Sequence, residues 1–275
     1  MLFGVGVKKH FGGVKAVDGC NFEIKENLIT ALIGPNGAGK STVFNLISGL
    51  LKTDGGKILF KIQDTRYNFQ KNSKSQILNP KTKNLKNGYV DITNLSPEKI
   101  SNLGISRLFQ QSRLFNNLSV KDNLLLAIDN NDTKFWRSFF QPVQSKARDS
   151  LAHGKVDNIL ELTNLTKFKN TLARDLSYGQ KRLVELGRTI LNPHTFLILD
   201  EPVAGVNPKL RQKISEILQS LKARGETILL IEHDMNFTFG LADRVIVMDE
   251  GKVIAQGKPV EIKNNPKVLE AYLGE

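Results

Sequence analysis

Cysteine is almost absent from this sequence, since Cys20 is the single one among its 275 residues. One thiol cannot form a disulfide within the chain, so an intrachain disulfide is excluded as a source of stability. The absence of disulfides is typical of proteins from a reducing compartment, and we expect this chain to work in one.

Long apolar runs are missing as well. A helix that spans a membrane needs roughly 18 or more apolar residues in a row. The most apolar stretch, 28–51, is interrupted by Pro35, Asn36 and Lys40. The first ten residues also lack the charged, apolar and small-residue regions of a signal peptide. We therefore predict a cytosolic chain that contacts a membrane, if at all, from the side.

Acidic residues are outnumbered: 27 Asp and Glu stand against 39 Lys and Arg, which gives a net charge of +12. Hydrophobic residues at 40% and charged residues at 24% are ordinary globular values and do not favour disorder of the whole chain. The positive charge leaves two interpretations open, a polyanionic partner or a generally basic surface. Residues 61–90 contain one acid, Asp64, among many basic residues, and we interpret them as a polar, basic insertion.

The hydrophobic pattern predicts mixed α and β structure. Apolar strands are predicted at 28–33, 196–199 and 227–231, and an amphipathic helix at 41–51 follows the first of them. Strands that alternate with helices indicate a parallel sheet with crossover helices. Near the end of the chain, a hairpin is predicted about residues 250–251.

A glycine-rich loop joins the first of these strands to the amphipathic helix. Its sequence, GPNGAGKS, matches the phosphate-loop pattern G-x-x-x-x-G-K-[ST] without a mismatch. Glycines let the backbone wrap phosphates closely, and the helix N-terminus adds partial positive charge. We expect Lys40 to reach the β- and γ-phosphates of ATP and the Ser41 hydroxyl to ligate Mg²⁺. The predicted nucleotide-binding residues here are Gly34, Pro35, Asn36, Gly37, Ala38, Gly39, Lys40, Ser41 and Thr42.

Two carboxylates follow the strand at 196–199. Asp200 and Glu201 end the sequence FLILDE and so lie at the carboxyl end of a strand, where ligands of open α/β sheets bind. Taken alone, this sequence favours a strand followed by an acidic turn. Together with the phosphate loop, it predicts that Asp200 holds Mg²⁺ and that Glu201 polarises the attacking water.

Four further features complete a pattern. The sequence LSYGQ at 176–180 resembles the signature usually written LSGGQ, and Gln110, His233 and Phe11 stand where one family has a Q-loop glutamine, a switch histidine and an adenine-stacking aromatic residue. In this order, and with the phosphate loop, they resemble the ATP-binding cassette (ABC) ATPases. The resemblance extends over nearly the whole chain outside 61–90.

The resemblance implies a fold and a division of the chain. The implied fold is α/β: a P-loop NTPase (RecA-like) ABC nucleotide-binding domain with an inserted α-helical subdomain and an N-terminal antiparallel β subdomain. A single such domain would cover 1–275. Residues 1–96 and 176–275 would form the ATP-binding core, and residues 97–175 the helical subdomain.

The resemblance also implies roles for individual residues. Two cassettes of this family sandwich two ATP molecules head to tail, so that the signature of one cassette contacts the nucleotide of the other. The implied catalytic residues are Glu201, His233 and Gln110; the metal ligands are Ser41, Gln110 and Asp200; Phe11 contacts adenine; and Ser177, Gly179 and Gln180 contact the nucleotide of the second cassette.

Taken one by one, these residues have other interpretations. Ser177 and Gln180 have the spacing of a capping box at the start of a helix. His233 alone is typical of a turn, Phe11 alone is typical of a core, and Gln110 has a second glutamine beside it.

Two positions depart from the family pattern. Asn207 stands before Pro208, where the D-loop of the family usually has Asp. An asparagine keeps the N-cap role but not the negative charge, which puts any charge-dependent contact across a dimer in question. Tyr178 replaces a glycine of the general signature, and LSYGQ resembles one particular subgroup.

The subgroup is indicated by residues 104–115, 243–257 and 265–275, which resemble the ATPase subunits of bacterial branched-chain amino-acid importers. Urea/amide importer and lipopolysaccharide exporter ATPases are similar alternatives. The resemblance implies an ATPase at the cytoplasmic face of the bacterial inner membrane. Its partners would be transmembrane permease subunits, a second ABC ATPase subunit, identical or related, and indirectly a solute-binding protein.

The sequence also bears on two other classes of function. The positive charge favours a soluble ABC protein that engages nucleic acid, but such families carry two cassettes or long coiled coils, and this sequence has one cassette without sustained heptads. We therefore expect no nucleic-acid partner. A regulatory subunit that binds ATP without turnover is disfavoured because Glu201 and His233 are both present.

Overall fold

A computed structural model describes residues 2–61, 88–108, 114–128 and 142–273, with the side chains of 142–149 and 273 left out. Gln110 and most of the predicted insertion, 62–87, lie outside the described residues. Within these ranges, no helix has the length and apolar character needed to cross a membrane.

The described chain alternates strands and helices. The strands are β1 (Leu2–Phe11), β2 (Val14–Ile24), β3 (Ile29–Ile33), β4 (Gly55–Lys61), β5 (Tyr89–Asp91), β6 (Ile105–Leu108), β7 (Phe196–Asp200), β8 (Thr227–Ile231), β9 (Arg244–Asp249) and β10 (Lys252–Gly257). The helices are α1 (Lys40–Ile47), α2 (Pro97–Asn102), α3 (Val120–Leu125), α4 (Pro142–Leu162), α5 (Tyr178–Leu191), α6 (Pro208–Ala223), α7 (Met235–Leu241), α8 (Pro259–Lys263) and α9 (Pro266–Leu273).

Four strands form an antiparallel sheet in the order β2-β1-β4-β5. β1 pairs with both β2 and β4, and β4 pairs with β5. The last described residue of β4, Lys61, lies directly opposite Tyr89, the first residue of β5. The predicted insertion therefore connects two neighbouring strands of this sheet.

Six strands form the second sheet, in the order β10-β9-β3-β8-β7-β6. β3 is parallel to β8 and β9, and β7 is parallel to β8, whereas β10 runs antiparallel to β9. Every residue of β3, β7 and β8 is buried, as expected for parallel strands covered on both faces. The strands predicted at 28–33, 196–199 and 227–231 are confirmed.

At two predicted elements, the hairpin and the first helix, a glycine with positive φ turns the chain. Glu250 and Gly251, between β9 and β10, have φ values of 42° and 74°, which is the pair of positive angles of a tight hairpin turn. The predicted hairpin is therefore confirmed. The helix predicted over 41–51 is shorter, because α1 ends at Ile47 and Gly49, with φ of 72°, turns the chain away.

Contacts along the chain define two compact units. Unit 1 contains residues 1–107, 194–201 and 219–275, and unit 2 contains residues 108–193 and 202–218. Both sheets contribute to the core of unit 1, where the rings of Phe60 and Phe196 stack at 6.2 Å and Phe44 of α1 is buried in the same cluster. In unit 2, α3, α4 and α5 meet at Gly187, where an added Cβ would lie 2.8 Å from Ile159 and 3.1 Å from Leu124.

Candidate functional site

The phosphate loop leads from β3 directly into α1 in unit 1. The N-cap residue of α1 is Gly39, whose φ of 95° is left-handed, and no side chain caps the helix. The first N–H groups of a helix have no partners within the helix, and they carry the positive end of its dipole. The loop therefore presents uncapped N–H groups of a helix to a ligand.

Two glycines of the loop are required by close backbone contacts. A Cβ on Gly34 would lie 2.0 Å from the Met248 carbonyl oxygen, and a Cβ on Gly39 would lie 2.1 Å from the Ala16 carbonyl oxygen. Both residues also have positive φ, 151° and 95°. Glycine thus lets the loop pass close to β9 and β2, a packing role that the sequence pattern does not reveal.

Lys40 is buried and bonded to the loop that precedes it. Its ammonium donates to the carbonyl oxygens of Gly34 at 2.7 Å and Pro35 at 2.6 Å. Ser41 is exposed and Thr42 is half-buried at the first turn of α1. The lysine thus lies within the curve of the loop, and the Ser41 hydroxyl is accessible beside it.

The β9–β10 turn fixes the loop to β2. The N–H of Gly251 donates to the Ala38 carbonyl at 3.2 Å, and the Gly251 carbonyl accepts from the Asp18 N–H at 2.8 Å and from the Cys20 thiol at 3.0 Å. Burial raises the pKa of the Cys20 thiol, so the sulfur stays protonated and can donate this bond. The turn is therefore part of the scaffold of the loop.

Asp200 and Glu201 lie at the carboxyl end of β7. Asp200 is buried, and the N–H of Glu201 donates to the Ile231 carbonyl at 2.9 Å. Glu201 has φ of 47°, an uncommon angle for a residue other than glycine, and its Oε1 atom lies 2.8 Å from Nε2 of His233. The ends of β7 and β8 therefore bring the predicted base and the predicted switch histidine into hydrogen-bond contact.

Phe11 lies at the tip of the β1–β2 hairpin, opposite Val14. Its ring is 47% exposed, so it is not a core residue, and the Lys9 ammonium lies 5.4 Å from the ring centroid. The next residues of this hairpin reach the phosphate loop, since Ala16 contacts Gly39. An exposed ring on a segment that touches the loop is suitably placed for a base to stack on it.

The signature sequence lies in unit 2, at the start of α5. Ser177 is the N-cap: its Oγ accepts from the Gln180 N–H at 3.3 Å, while Gln180 Oε1 accepts from the Ser177 N–H at 2.8 Å. The predicted capping box is therefore confirmed. A Cβ on Gly179 would lie 2.6 Å from the end of the Leu210 side chain, so α5 and α6 pack closely at this glycine.

The two positions that depart from the family pattern also lie in unit 2. The Tyr178 hydroxyl donates to the Ala204 carbonyl at 3.3 Å, and its ring packs against Gly205. Asn207 Oδ1 accepts from the Leu210 N–H at 2.9 Å, so Asn207 keeps the predicted N-cap role. Tyr178 thus links the signature to the segment that precedes α6, a contact that the sequence did not predict.

One half-buried residue of unit 1 was missed as a functional residue. Arg107 of β6 lies beside Asp200, with a nitrogen 3.6 Å from the carboxylate, and donates to the side chains of Asn45 and Ser48. A signal for it was present, since Arg107 is the one charged residue of the strand ISRL, three positions before Gln110. Unit 1 thus holds the phosphate loop, Phe11, Asp200, Glu201 and His233, and unit 2 holds Ser177, Gly179 and Gln180.

Comparisons with known proteins identify the family. A family described as ABC transporter matches residues 17–204, and one described as Branched-chain amino acid ATP-binding cassette transporter matches residues 252–275. The chain is 34% identical to the high-affinity branched-chain amino acid transport ATP-binding protein BraF of Pseudomonas aeruginosa and 35% identical to LivG, of the same description, from Escherichia coli. Each match covers 98% of this chain and 96% of the relative.

Solved structures agree with these matches. A nucleotide-free ATP-binding cassette from an ABC transporter superposes with a TM-score of 0.77 at 33% identity, over 100% of this chain and 99% of the other. An ADP-bound cassette of an ABC transporter superposes with a TM-score of 0.75 at 31% identity, with the same coverage. The predicted fold is confirmed, and the chain belongs to the ABC transporter family as one of its ATP-binding, ATP-hydrolysing cassettes.

Proposed function

We propose that this cassette binds ATP with Mg²⁺ and hydrolyses it to drive the import of branched-chain amino acids through separate membrane subunits. The observation that carries the hydrolytic part is the 2.8 Å contact between Glu201 and His233, in the same unit as the phosphate loop. The description of the C-terminal family match and the names of the relatives support the solute class. They favour it over urea, amides or lipopolysaccharide.

Nucleotide binding is assigned to the phosphate loop and Phe11. The N–H groups at the start of α1 bind phosphate oxygens, and the Lys40 ammonium exchanges its bonds to Gly34 and Pro35 for bonds to the β- and γ-phosphates. Phe11 stacks on the adenine ring. Lys40 is already held inside the loop, so this exchange moves only the end of its side chain.

The side chains assigned to Mg²⁺ suit this ion. Ser41 offers a hydroxyl oxygen and Asp200 a carboxylate oxygen, and hard oxygen donors are the ligands Mg²⁺ prefers. Gln110, outside the described part of the chain, is proposed as a further ligand. When bound, Mg²⁺ neutralises charge on the phosphates. The two oxygens that would bind it are the Ser41 hydroxyl, at the start of α1, and the Asp200 carboxylate, at the end of β7.

Hydrolysis is assigned to Glu201 and His233. The Glu201 carboxylate accepts a proton from water as the water oxygen bonds to the γ-phosphorus, and the bond to the leaving ADP oxygen breaks. His233 holds the carboxylate through the 2.8 Å contact and so orients it. The Glu201 N–H donates a hydrogen bond to the Ile231 carbonyl, and Glu201 has an unusual φ. Together they set the position of the backbone from which the carboxylate side chain extends.

The active assembly is proposed to be a head-to-tail dimer of cassettes on membrane subunits. Ser177, Gly179 and Gln180 then contact the ATP bound by the second cassette, which is either a copy of this chain or a related one. Closure around ATP moves the transmembrane permease subunits, which receive the solute from a solute-binding protein. This places the cassette at the cytoplasmic face of the bacterial inner membrane, as a peripheral subunit.

The experiment that tests this function compares wild type with Glu201→Gln in Mg-ATP. We expect hydrolysis to fall by about 10²–10⁴-fold in the variant, because the general base is lost, while ATP binding and dimerisation by light scattering persist. Glu250→Gln is a matched control, since Glu250 is also a glutamate with positive φ, on a turn. Unchanged turnover in Glu201→Gln would contradict the assignment.

The solute is tested separately, by uptake of labelled leucine in cells with and without the gene. Loss of leucine uptake in the deletion strain, restored by wild type but not by Glu201→Gln, supports branched-chain amino-acid import. Normal leucine uptake together with lost urea uptake would assign the cassette to the alternative importer.

A further inference from the structure

Arg107 lies where three elements of unit 1 meet. It is on β6, and one of its terminal nitrogens donates to Asn45 Oδ1 of α1 at 2.9 Å and to Ser48 Oγ, just after α1, at 2.5 Å. Its other terminal nitrogen lies 3.6 Å from Asp200 Oδ2, at the end of β7. One guanidinium therefore connects β6, the phosphate-loop helix and the carboxylate proposed to hold Mg²⁺.

The surroundings of this contact are largely closed to solvent. The side chains of Arg107 and Asp200 are 11% and 10% exposed, and the guanidinium lies over the Phe44 ring, 4.5 Å from its centroid. A buried charge is costly unless it is paired and hydrogen-bonded, and Arg107 meets both conditions. Arginine suits this place better than lysine, because a planar fork can stack on a ring and bond in several directions at once.

The hydrogen bonds of Arg107 reach the phosphate-loop helix. Ser48 also donates to the Phe44 carbonyl at 2.9 Å, so the group that holds Arg107 is itself fixed to α1. The same helix begins with Lys40 and Ser41. Arg107 is therefore held by this helix, which carries the other proposed ligand of Mg²⁺, with its positive charge 3.6 Å from the Asp200 carboxylate.

We propose that Arg107 is a positioning residue that sets the affinity of the site for Mg²⁺ through Asp200. The proposal rests on the proposed function, in which Asp200 is a ligand of the ion. Arg107 does not touch the ion or the nucleotide in this arrangement; it holds the carboxylate oxygens where they can meet Mg²⁺. Outer partners of this kind commonly change metal affinity by about 10–100-fold when they are removed.

The test measures binding of a fluorescent ADP analogue, with Mg²⁺ titrated in and, separately, with EDTA. In Arg107→Gln we expect the Mg²⁺ concentration for half-maximal binding to rise about tenfold or more, while the affinity for metal-free nucleotide stays nearly constant. Arg107→Lys keeps the charge but not the fork, and we expect its value to lie between those of wild type and Arg107→Gln.

Two further variants keep the result interpretable. Arg188→Gln is the matched control. Arg188 is also a half-buried arginine beside a ring, 5.5 Å from the centroid of Phe115, but it lies in unit 2. The Mg²⁺ titration of this variant should match that of wild type. Ser48→Ala removes one hydrogen bond to Arg107 and leaves the charge of Arg107 in place. It can replace Arg107→Gln as the test variant if Arg107→Gln does not fold. We expect it to raise the required Mg²⁺ by a smaller factor.

A double-mutant cycle with Asp200→Asn tests whether Arg107 acts through Asp200. If Arg107 acts through Asp200, the effect of Arg107→Gln on Mg²⁺ dependence disappears in the Asp200→Asn background. Equal effects in both backgrounds would overturn the inference about Arg107 but not the proposed function. An unchanged Mg²⁺ titration in both Arg107→Gln and Ser48→Ala would do the same. An unchanged titration in Asp200→Asn itself would overturn the proposed role of Asp200.

Discussion

The two motifs assigned to nucleotide both end at the N-terminus of a helix, and the two N-termini are built differently. At α1, the N-cap is a left-handed glycine, Gly39, without a side-chain cap. At α5, Ser177 and Gln180 cap the helix with a complete reciprocal pair. One helix begins without a side-chain cap, and the other begins with a capping box.

The difference indicates two ways of meeting the same kind of ligand. The α1 N-terminus has no side-chain cap, so a phosphate can bind directly at the start of this helix. The α5 N-terminus is stable without one: the Ser177 oxygen and Gln180 Oε1 serve as acceptors inside the helix, which leaves the Ser177 O–H and the Gln180 amide N–H groups to donate outward. In the proposed head-to-tail dimer this motif meets its nucleotide only on closure, so it must hold its shape in the open state.

The largest effect is expected at the uncapped helix, from Gly39→Ala. A Cβ there would lie 2.1 Å from the Ala16 carbonyl oxygen at φ of 95°, so the loop must move. We expect a loss of about 3 kcal/mol or more in the free energy of unfolding, with loss of ATP binding, measured by denaturant titration and nucleotide fluorescence.

Gly37→Ala is the matched control for this change. It has a similar φ of 79° but no atom within 4 Å of an added Cβ, so it introduces backbone strain without a clash. We expect it to cost about 1–2 kcal/mol. Equal losses in the two variants would show that the contact with β2 does not explain the glycine at position 39.

A smaller effect is expected at the capped helix, where two substitutions separate capping from ligand contact. Ser177→Ala loses the cap and should cost about 1 kcal/mol of stability, whereas Ser177→Asp keeps an acceptor for the Gln180 N–H. Asp has no hydroxyl hydrogen and carries a negative charge. We therefore expect Ser177→Asp to remain as stable as wild type but to lose dimerisation in Mg-ATP.

Thermal unfolding and light scattering check both Ser177 variants. Dimerisation of Ser177→Asp at wild-type ATP concentrations would contradict the idea that this serine faces a phosphate.

The smallest effect is expected from Asn207→Asp, which restores the usual residue of the family. Asp also accepts a hydrogen bond from the Leu210 N–H, so the cap stays and the stability should change by less than about 0.5 kcal/mol. Hydrolysis rates over a range of protein concentrations show whether the restored charge matters across the proposed dimer. A large change in stability would mean that Asn207 does more than cap α6.

Features that depend on neighbouring residues could be predicted from the sequence. The phosphate loop, the buried strands, the capping box at Ser177 and the turn at residues 250–251 are all recognised from spacings of a few residues. The prediction was less accurate for the end of α1, because helical spacing continues past Gly49 while the backbone does not.

Features that depend on distant parts of the chain could not be predicted. The clash that requires Gly39 involves Ala16, and the Gly251 N–H reaches the Ala38 carbonyl. Arg107 shows the same limit: the strand sequence marks it as unusual, but only the fold places it beside Asp200. The exposure of Phe11, which separates a stacking platform from a core residue, likewise depends on where the hairpin lies.

The direct pairing of Lys61 with Tyr89 has a practical consequence for protein engineering. Paired residues of neighbouring antiparallel strands are about 5 Å apart, a gap that a two-residue Asn-Gly turn closes. A connection from Lys61 to Tyr89 can therefore be as short as such a turn or as long as a folded reporter while these two ends stay paired, since the entropy of closing a loop grows only logarithmically with its length. This position is the natural place to attach a fluorescent sensor to the cassette.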